Sequence, residues 1–198
     1  MASEDEADND GVDDDDEAAM ARFREAEERL RKTPPRCVAG FKVEPATLAN
    51  VAFDGHGSDL NKVYKLSCTC GHGSFRVLGH HLKNNRGDDI FVSPLGLECA
   101  ACGKVTELID TGEHGYDAEL GHGSATIRGE GPRTHFACDK CGVRPMTAFV
   151  RFEHSGEELA DSFLEEFPDS QDYFSWFSLV GTCEGCKRTL NVADFECA

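Results

Sequence analysis

The sequence predicts a mainly β fold, a small α+β protein with one N-terminal helix and one inserted helix. Three observations support this fold class. Eight of the ten cysteines fall into four close pairs, short β-branched and aromatic segments recur between turn residues, and a weak repeat divides the chain into two similar units. The 20 glycines are enough to supply many turns. We therefore expect two tandem units built from β-hairpins.

The N-terminal segment differs from the rest of the chain in its charge. Ten of the 37 acidic residues and none of the 20 basic residues lie in residues 1–17, and the formal net charge of the chain is −17. Because these acids repel one another and few apolar residues accompany them, residues 1–16 are predicted to be a disordered acidic tail. An evenly acidic surface, as in halophilic proteins, is the alternative explanation, and the concentration of acids in the tail argues against it.

Residues 17–35 are predicted to form a helix and the linker after it. The segment is rich in Ala, Glu, Arg and Leu, and its acids come early and its bases late, which suits the helix dipole. Met20, Phe23 and Leu30 lie near one face. Two consecutive prolines end the helix. This weak apolar stripe is typical of a solvated lead-in helix.

After Cys37 the predicted elements are almost all strands. Nine short segments alternate in hydrophobicity or carry β-branched and aromatic side chains, with Gly, Asn and Asp between them. Only residues 157–167 have helical periodicity, with Leu159, Phe163 and Phe167 spaced four residues apart. The predicted strands are 51–53, 62–67, 74–78, 90–93, 104–110, 125–128, 147–153, 173–180 and 189–192.

The four cysteine pairs have the spacing of metal-binding turns. Two thiolates two or three residues apart on a tight turn can hold one tetrahedral metal from one side, and a second such turn completes the shell. The pairs therefore predict two sites per chain, each for Zn²⁺, which accepts four thiolates readily. The predicted ligands are Cys68, Cys70, Cys99, Cys102, Cys138, Cys141, Cys183 and Cys186.

A weak internal repeat predicts how the pairs combine. The sequence Gly-His-Gly-Ser occurs at 55–58 and 121–124, before the first and third pairs, and a similar strand with a late Asp follows the second and fourth. The repeat divides the chain into units at 36–118 and 119–198. It joins the first pair with the second and the third with the fourth. The alternative joins the second with the third and leaves the first to meet the fourth.

Two of the cysteine turns carry a glycine directly after the second cysteine, Gly103 in the second pair and Gly142 in the third. With these CxxCG turns, residues of roughly 60–198 resemble the zinc-ribbon (zinc β-ribbon) group. The first pair departs from the pattern as CxC, and Lys187 replaces the glycine after the fourth. The resemblance implies that cysteine turns at the ends of β-hairpins hold structural zinc, and it implies no activity. Iron bound in a rubredoxin-like manner is the alternative.

Other chemistry that uses paired cysteines fits the sequence less well. A thioredoxin-like redox pair lies at a helix start within a βαβ unit, and none of the four pairs is placed in this way. Iron–sulfur ligation usually shows three cysteines clustered in one run. Cys37 and Cys197 stand outside the pairs and are predicted to be buried or idle thiols.

The sequence contains no catalytic motif that we recognise. It lacks a serine or cysteine nucleophile arrangement, a phosphate-binding loop, a dinucleotide-binding fingerprint and HExxH. The eight histidines lack the spacing of metal ligands. His72, two residues after Cys70, is a candidate donor to a sulfur. We predict a protein without catalysis, and a metal-dependent enzyme that uses loop histidines is an alternative.

The charge of the chain bears on its partners. Phosphate binding requires clustered Lys and Arg, but the basic residues are spread thinly apart from residues 22–36. A protein partner, and a recognition or regulatory role, are therefore predicted, with nucleic-acid binding as the alternative. The aromatic run at 173–177 is predicted to pack in the core, and an exposed patch there would mark a binding surface.

The location of the chain is predicted from two absences. No apolar run is long enough for a transmembrane helix, and the acidic N-terminus lacks the hydrophobic segment of a secretory signal. We therefore expect a cytoplasmic protein that does not enter a membrane. In that compartment thiols stay reduced and are available to metal.

Overall fold

A computed structural model describes residues 32–47, 61–123, 128–154 and 169–197, together with residues 18, 20, 21, 24, 25, 28 and 30. The described chain is mainly β, as predicted, and its strands form one antiparallel sheet. The nine described strands are β1 (Lys42–Pro45), β2 (Asn61–Ser67), β3 (Ser74–Lys83), β4 (Asp89–Cys99), β5 (Val105–Ile109), β6 (Thr134–His135), β7 (Met146–Glu153), β8 (Trp176–Cys183) and β9 (Thr189–Glu196).

Seven of the predicted strands overlap observed ones, but several boundaries differ. β3, β4 and β9 are each longer than predicted, and β8 begins at Trp176 instead of at residue 173. The sequence pattern does not predict β1 and β6, or the single helical turn Tyr116–Glu119. The predicted acidic tail, strand 51–53 and inserted helix 157–167 lie outside the described residues, as does nearly all of strand 125–128.

Two three-stranded antiparallel meanders make up most of the sheet. The first consists of β3, β4 and β5, and the second consists of β7, β8 and β9. A cysteine pair precedes the first strand of each meander, and another stands at the turn between its second and third strands. The two meanders therefore present their cysteines in the same order.

The first strands of the meanders pair with each other, and this contact places the cysteine turns. Phe75 on β3 is the register partner of both Cys99 on β4 and Met146 on β7, and Met146 is the partner of Cys183 on β8. Cys99 and Cys183 thus lie in one row at the same end of the sheet. Three inter-strand steps separate them, which corresponds to about 14 Å.

Apolar side chains from both meanders form one core. Phe152 on β7 is fully buried, and its ring centroid lies 4.8 Å from that of Phe174 and 5.5 Å from that of Phe177. Removing these side chains from water is the main force that holds the sheet in its curled form. Other fully buried core residues are Val38, Leu66, Val77, Leu95, Leu97, Met146, Ala148, Val150 and Leu179.

Cys37, Val38 and Phe41, which follow the N-terminal helix, belong to this core. The described positions between 18 and 32 are all helical, and Leu30 among them is buried. Farther along, Arg36 donates from its backbone N–H and its Nε to the buried carboxylate of Asp172, at 2.6 and 2.5 Å. Among the described residues, no helix has the length and apolar character needed to cross a bilayer.

Candidate metal centres

The four cysteine turns share one backbone pattern. In each turn the N–H of the first cysteine donates to a carbonyl oxygen that follows the turn, at 2.8 to 3.0 Å. These acceptors are the carbonyls of His72, Lys104, Val143 and Arg188. The chain therefore reverses direction tightly at each pair, which points both thiols of the pair to the same side.

Each turn also requires a residue in the left-handed backbone region directly after its second cysteine. Gly71, Gly103 and Gly142 occupy this position with φ of 93°, 72° and 69°. Lys187 occupies it in the fourth turn with φ of 60°, and it is the one described residue other than glycine with a positive φ. Its N–H donates to the carbonyl oxygen of Cys183 at 2.9 Å, as a glycine N–H does in the equivalent turns.

The structure brings the first cysteine pair to the second, as the repeat predicts. The Sγ atoms of Cys68, Cys70, Cys99 and Cys102 all lie within 4.8 Å of one another. The Sγ of Cys68 lies 3.7 Å from that of Cys102, and the Sγ of Cys70 lies 3.7 Å from that of Cys99. The first cysteine of each pair is buried and the second is exposed.

The third and fourth pairs form a second group of the same kind. The Sγ atoms of Cys138, Cys141, Cys183 and Cys186 also lie within 4.8 Å of one another. Across the group, Cys138 and Cys186 are 3.7 Å apart, and Cys141 and Cys183 are 3.5 Å apart. The alternative combination of the pairs is therefore wrong.

Both groups have the dimensions of a tetrahedral thiolate site. With Zn–S bonds of about 2.3 Å, the edge of a regular tetrahedron of sulfurs measures about 3.8 Å. The four separations given above, 3.5 to 3.7 Å, are close to this value, and all the sulfurs of a group lie within 4.8 Å of one another. Each group could therefore hold one metal ion with four sulfur ligands, which leaves no position for water or substrate.

Backbone N–H groups stabilise the ionised form of one buried cysteine in each group. The N–H of Cys70, with hydrogen bonds from the neighbouring thiols, lowers the pKa of Cys68 to about 6, and the N–H groups of Cys186 and Gly185, again with the neighbouring thiols, lower the pKa of Cys183 to about 7. Thiolate is the form that binds metal. Four thiolates this close repel one another, so a cation is needed to keep all of them ionised.

The described histidines do not join either cysteine group. His72 contributes its backbone carbonyl oxygen to the first turn. His135 lies 2.8 Å from a carboxylate oxygen of Glu98, and this hydrogen bond, with help from Arg76, lowers the pKa of that carboxyl. The sequence alone does not indicate this pair, because Glu98 and His135 are 37 residues apart and lie on different strands. The Nδ1 atom of His114 lies within hydrogen-bonding distance of the backbone N–H and C=O of Asp110.

Cys37 and Cys197 are both buried, as predicted, and lie outside the two cysteine groups. Burial raises the pKa of Cys37 well above its ordinary value, and it raises the pKa of Cys197 to about 12. The Cys197 side chain packs against the backbone of Gly115. A Cβ atom added at Gly115 would lie only 2.6 Å from the Cys197 Cβ. Both thiols are held in the neutral form.

Most of the aromatic run at 173–177 packs inward. Phe174 and Phe177 are buried in the core, and Tyr173 is buried as well. Trp176 is half-buried, and its indole N–H donates to the carboxylate of Asp194 on β9. The run therefore presents no broad exposed aromatic patch.

Known proteins give no further assignment for these sites. No protein family, no curated protein and no solved structure matches the chain. The chemistry of the sites follows from the geometry of the described residues.

Proposed function

We propose that this chain is a zinc-binding recognition module in which two structural four-cysteine sites hold two tandem zinc-ribbon-like units. The observation that supports it most is the presence of two closed cysteine groups with the dimensions of a tetrahedral thiolate site. The eight cysteines of these groups are the proposed ligands, and two Zn²⁺ ions per chain are the proposed cofactors. In such a shell the metal contributes folding free energy and has no open position for catalysis.

The topology supports the tandem arrangement. Each meander repeats the order cysteine turn, two strands, cysteine turn and third strand. The second and fourth turns stand at the ends of the hairpins β4–β5 and β8–β9, where the zinc-ribbon resemblance requires them, and the first and third turns precede β3 and β7. The proposed units are residues 36–118 and 119–198, and the β2–β7, β3–β7 and β3–β6 pairings join them.

The acidity of the chain supports a protein partner. The sequence isoelectric point is about 4.7, and several described basic residues already pair with carboxylates: Arg36, Arg76, Lys83, Arg128, Arg133, Arg151 and Arg188. A duplex or a single strand would have to compete with these carboxylates for the same cations. We therefore propose protein recognition or regulation, in a reducing compartment such as the cytoplasm.

Cobalt substitution tests the metal sites. Reduced chain titrated with Co²⁺ should bind two ions per chain, with the thiolate charge-transfer and visible bands of tetrahedral sulfur coordination, and Zn²⁺ should displace both. Cys99→Ser and Cys183→Ser should each disturb one site and leave the sulfur spectrum of the other. A single cobalt ion per chain, or a spectrum without sulfur ligation, would contradict the proposal.

A nucleic-acid titration tests the choice of partner. The zinc-loaded chain should show no salt-dependent binding to duplex DNA, single-stranded DNA or RNA of mixed sequence. Tight binding that weakens steeply with salt would overturn protein recognition in favour of nucleic-acid recognition.

A further inference from the structure

An open cleft lies between the two meanders. It has a volume of about 710 Å³, which is within the range of ligand-binding pockets, roughly 300–1,000 Å³. One wall is the start of β4, the other is β9, and residues 136–139 close one side. The partly buried side chains of Ile90 and Phe136 contribute apolar surface.

The charged side chains that line this cleft are almost all acidic. Asp89, Asp117, Asp139, Asp194 and Glu196 line it together with His81, and no Lys or Arg among the described residues does. Lys83 and Arg188 pair with two of these acids at exposed positions. Asp117 and Glu196 have no ion-pair partner within the described chain. The cleft therefore combines apolar contact with unbalanced negative charge and is complementary to a cationic ligand.

Among the described residues, the β9 wall of the cleft is a strand edge. β9 pairs with β8 alone among the described strands. β4 is not such an edge, because residues 89–92 pair with β3 on one side, and on the other side Ser93 bridges Arg128 and residues 95–98 pair with β5. An unpaired edge presents alternate backbone N–H and C=O groups outward, and an extended peptide can pair with them. The residues of β9 in the cleft, 191–196, are long enough to pair with about six residues of such a peptide.

The described residues of the basic N-terminal segment lie elsewhere. Leu30 is buried, and Arg36 pairs with Asp172 and Glu119. None of these residues lines the cleft. A separate molecule is therefore the better candidate for its occupant.

We propose that this cleft binds an extended basic segment of a partner protein, in which Lys or Arg alternates with apolar residues. Successive side chains of an extended peptide point to opposite sides. Its apolar side chains would contact Ile90 and Phe136, and its cations would face the acidic rim. The inference rests on the proposed function and specifies the partner of that recognition module.

Fluorescence anisotropy with a labelled octapeptide of alternating Lys and Val tests the proposal on the full zinc-loaded chain. The peptide should bind and should lose affinity as salt is raised. An octapeptide of alternating Glu and Val should not bind. Spermine, which carries charge without apolar side chains, should compete poorly. Equal competition by spermine would overturn the proposal, because charge alone would then explain binding.

Backbone pairing is tested by N-methylation of the Lys/Val octapeptide at every second residue, in each of the two registers. A peptide that pairs with the edge of β9 uses only every second one of its N–H groups for this pairing. One register should lose about ten-fold in affinity, and the other should bind as the parent does. Equal binding by both N-methylated peptides would exclude an added strand.

Charge-matched variants place the site on the protein. The double variant Asp117→Asn/Glu196→Gln should weaken Lys/Val binding about five-fold, the effect expected from two partly exposed ion pairs. The control Glu44→Gln/Glu130→Gln removes the same charge at exposed positions outside the cleft and should leave binding unchanged. Equal loss in both variants would assign the binding to net charge or to the acidic tail.

Cobalt titration of the same preparations separates the two proposals. Two bound cobalt ions without Lys/Val binding would overturn the cleft assignment and leave the metal sites in place. Cleft-dependent binding of the octapeptide by a chain without sulfur-bound cobalt would overturn the structural-metal proposal instead.

Discussion

Replacing Lys187 by glycine is expected to stabilise the folded chain. Lys187 has a φ of 60° at the position where the three equivalent turns carry Gly71, Gly103 and Gly142. A left-handed conformation costs a non-glycine residue about 1–2 kcal/mol. Substitution by glycine removes this cost. Glycine also increases the conformational freedom of the unfolded chain, which offsets about 0.4–1 kcal/mol of the gain. The expected net increase in the free energy of unfolding for Lys187→Gly is therefore about 0.5–1 kcal/mol.

The side chain of Lys187 contributes little to this difference. Its Nζ lies 3.6 Å from Glu184, and the two side chains are 71% and 39% exposed. Water screens a pair this exposed, so its loss should cost a few tenths of a kcal/mol at most. Lys187→Ala is the matched control, because it removes the ion pair and keeps the left-handed residue. It should be no more stable than the parent chain.

Urea denaturation of reduced chain at one fixed free zinc concentration measures these differences, since bound metal shifts the apparent stability. The reverse substitution, Gly142→Ala, should lower the free energy of unfolding by about 1 kcal/mol. A Cβ there would meet no atom within 4 Å, so the loss would come from the backbone alone. The reasoning is refuted if Lys187→Gly is no more stable than Lys187→Ala.

Four further predictions follow from buried groups. Phe152→Ala should lower the free energy of unfolding by about 3–5 kcal/mol because the ring is fully buried, and a loss below about 1 kcal/mol in urea denaturation would contradict the assigned core. Thr111→Val removes a 2.8 Å hydrogen bond to Ser93 and should cost about 1 kcal/mol in the same assay. Cys37 and Cys197 should resist alkylation in the zinc-loaded chain until it unfolds. Alkylation of the folded chain as fast as that of an exposed free thiol would contradict their burial. The raised pKa of Cys197 means that the unfolded chain releases this proton first, from about pH 9, so stability should fall as pH rises above that value, and less steeply in Cys197→Ala.

The cysteine sites could be predicted from sequence because their signal is local. A pair two or three residues apart fixes one side of a site, and the repeat is enough to join the pairs correctly. The strands of the two meanders were also predictable, since most of them alternate or carry β-branched residues. The strand boundaries were less predictable. For example, β4 continues through Pro94 and Gly96, two residues that in a local pattern indicate a turn.

The remaining features depend on contacts between distant segments. Nothing in the sequence near Phe75 or Met146 indicates that β3 and β7 pair and align the two cysteine turns at one end of the sheet. The strand β1 contains Pro45 and is short, so its pairing with β2 has no local signal. The cleft between β4 and β9 is lined by segments that are far apart in the sequence, and its acids are scattered along the chain.

The metal content of the chain, determined by elemental analysis of protein purified under reducing conditions, tests the central claim most directly. Two zinc ions per chain, with their removal by a chelator accompanied by unfolding, is the predicted result, because each structural site should contribute on the order of 10 kcal/mol in apparent free energy. A chain that contains iron, or one zinc only, or that keeps its fold after all metal has been removed under reducing conditions, would contradict the account.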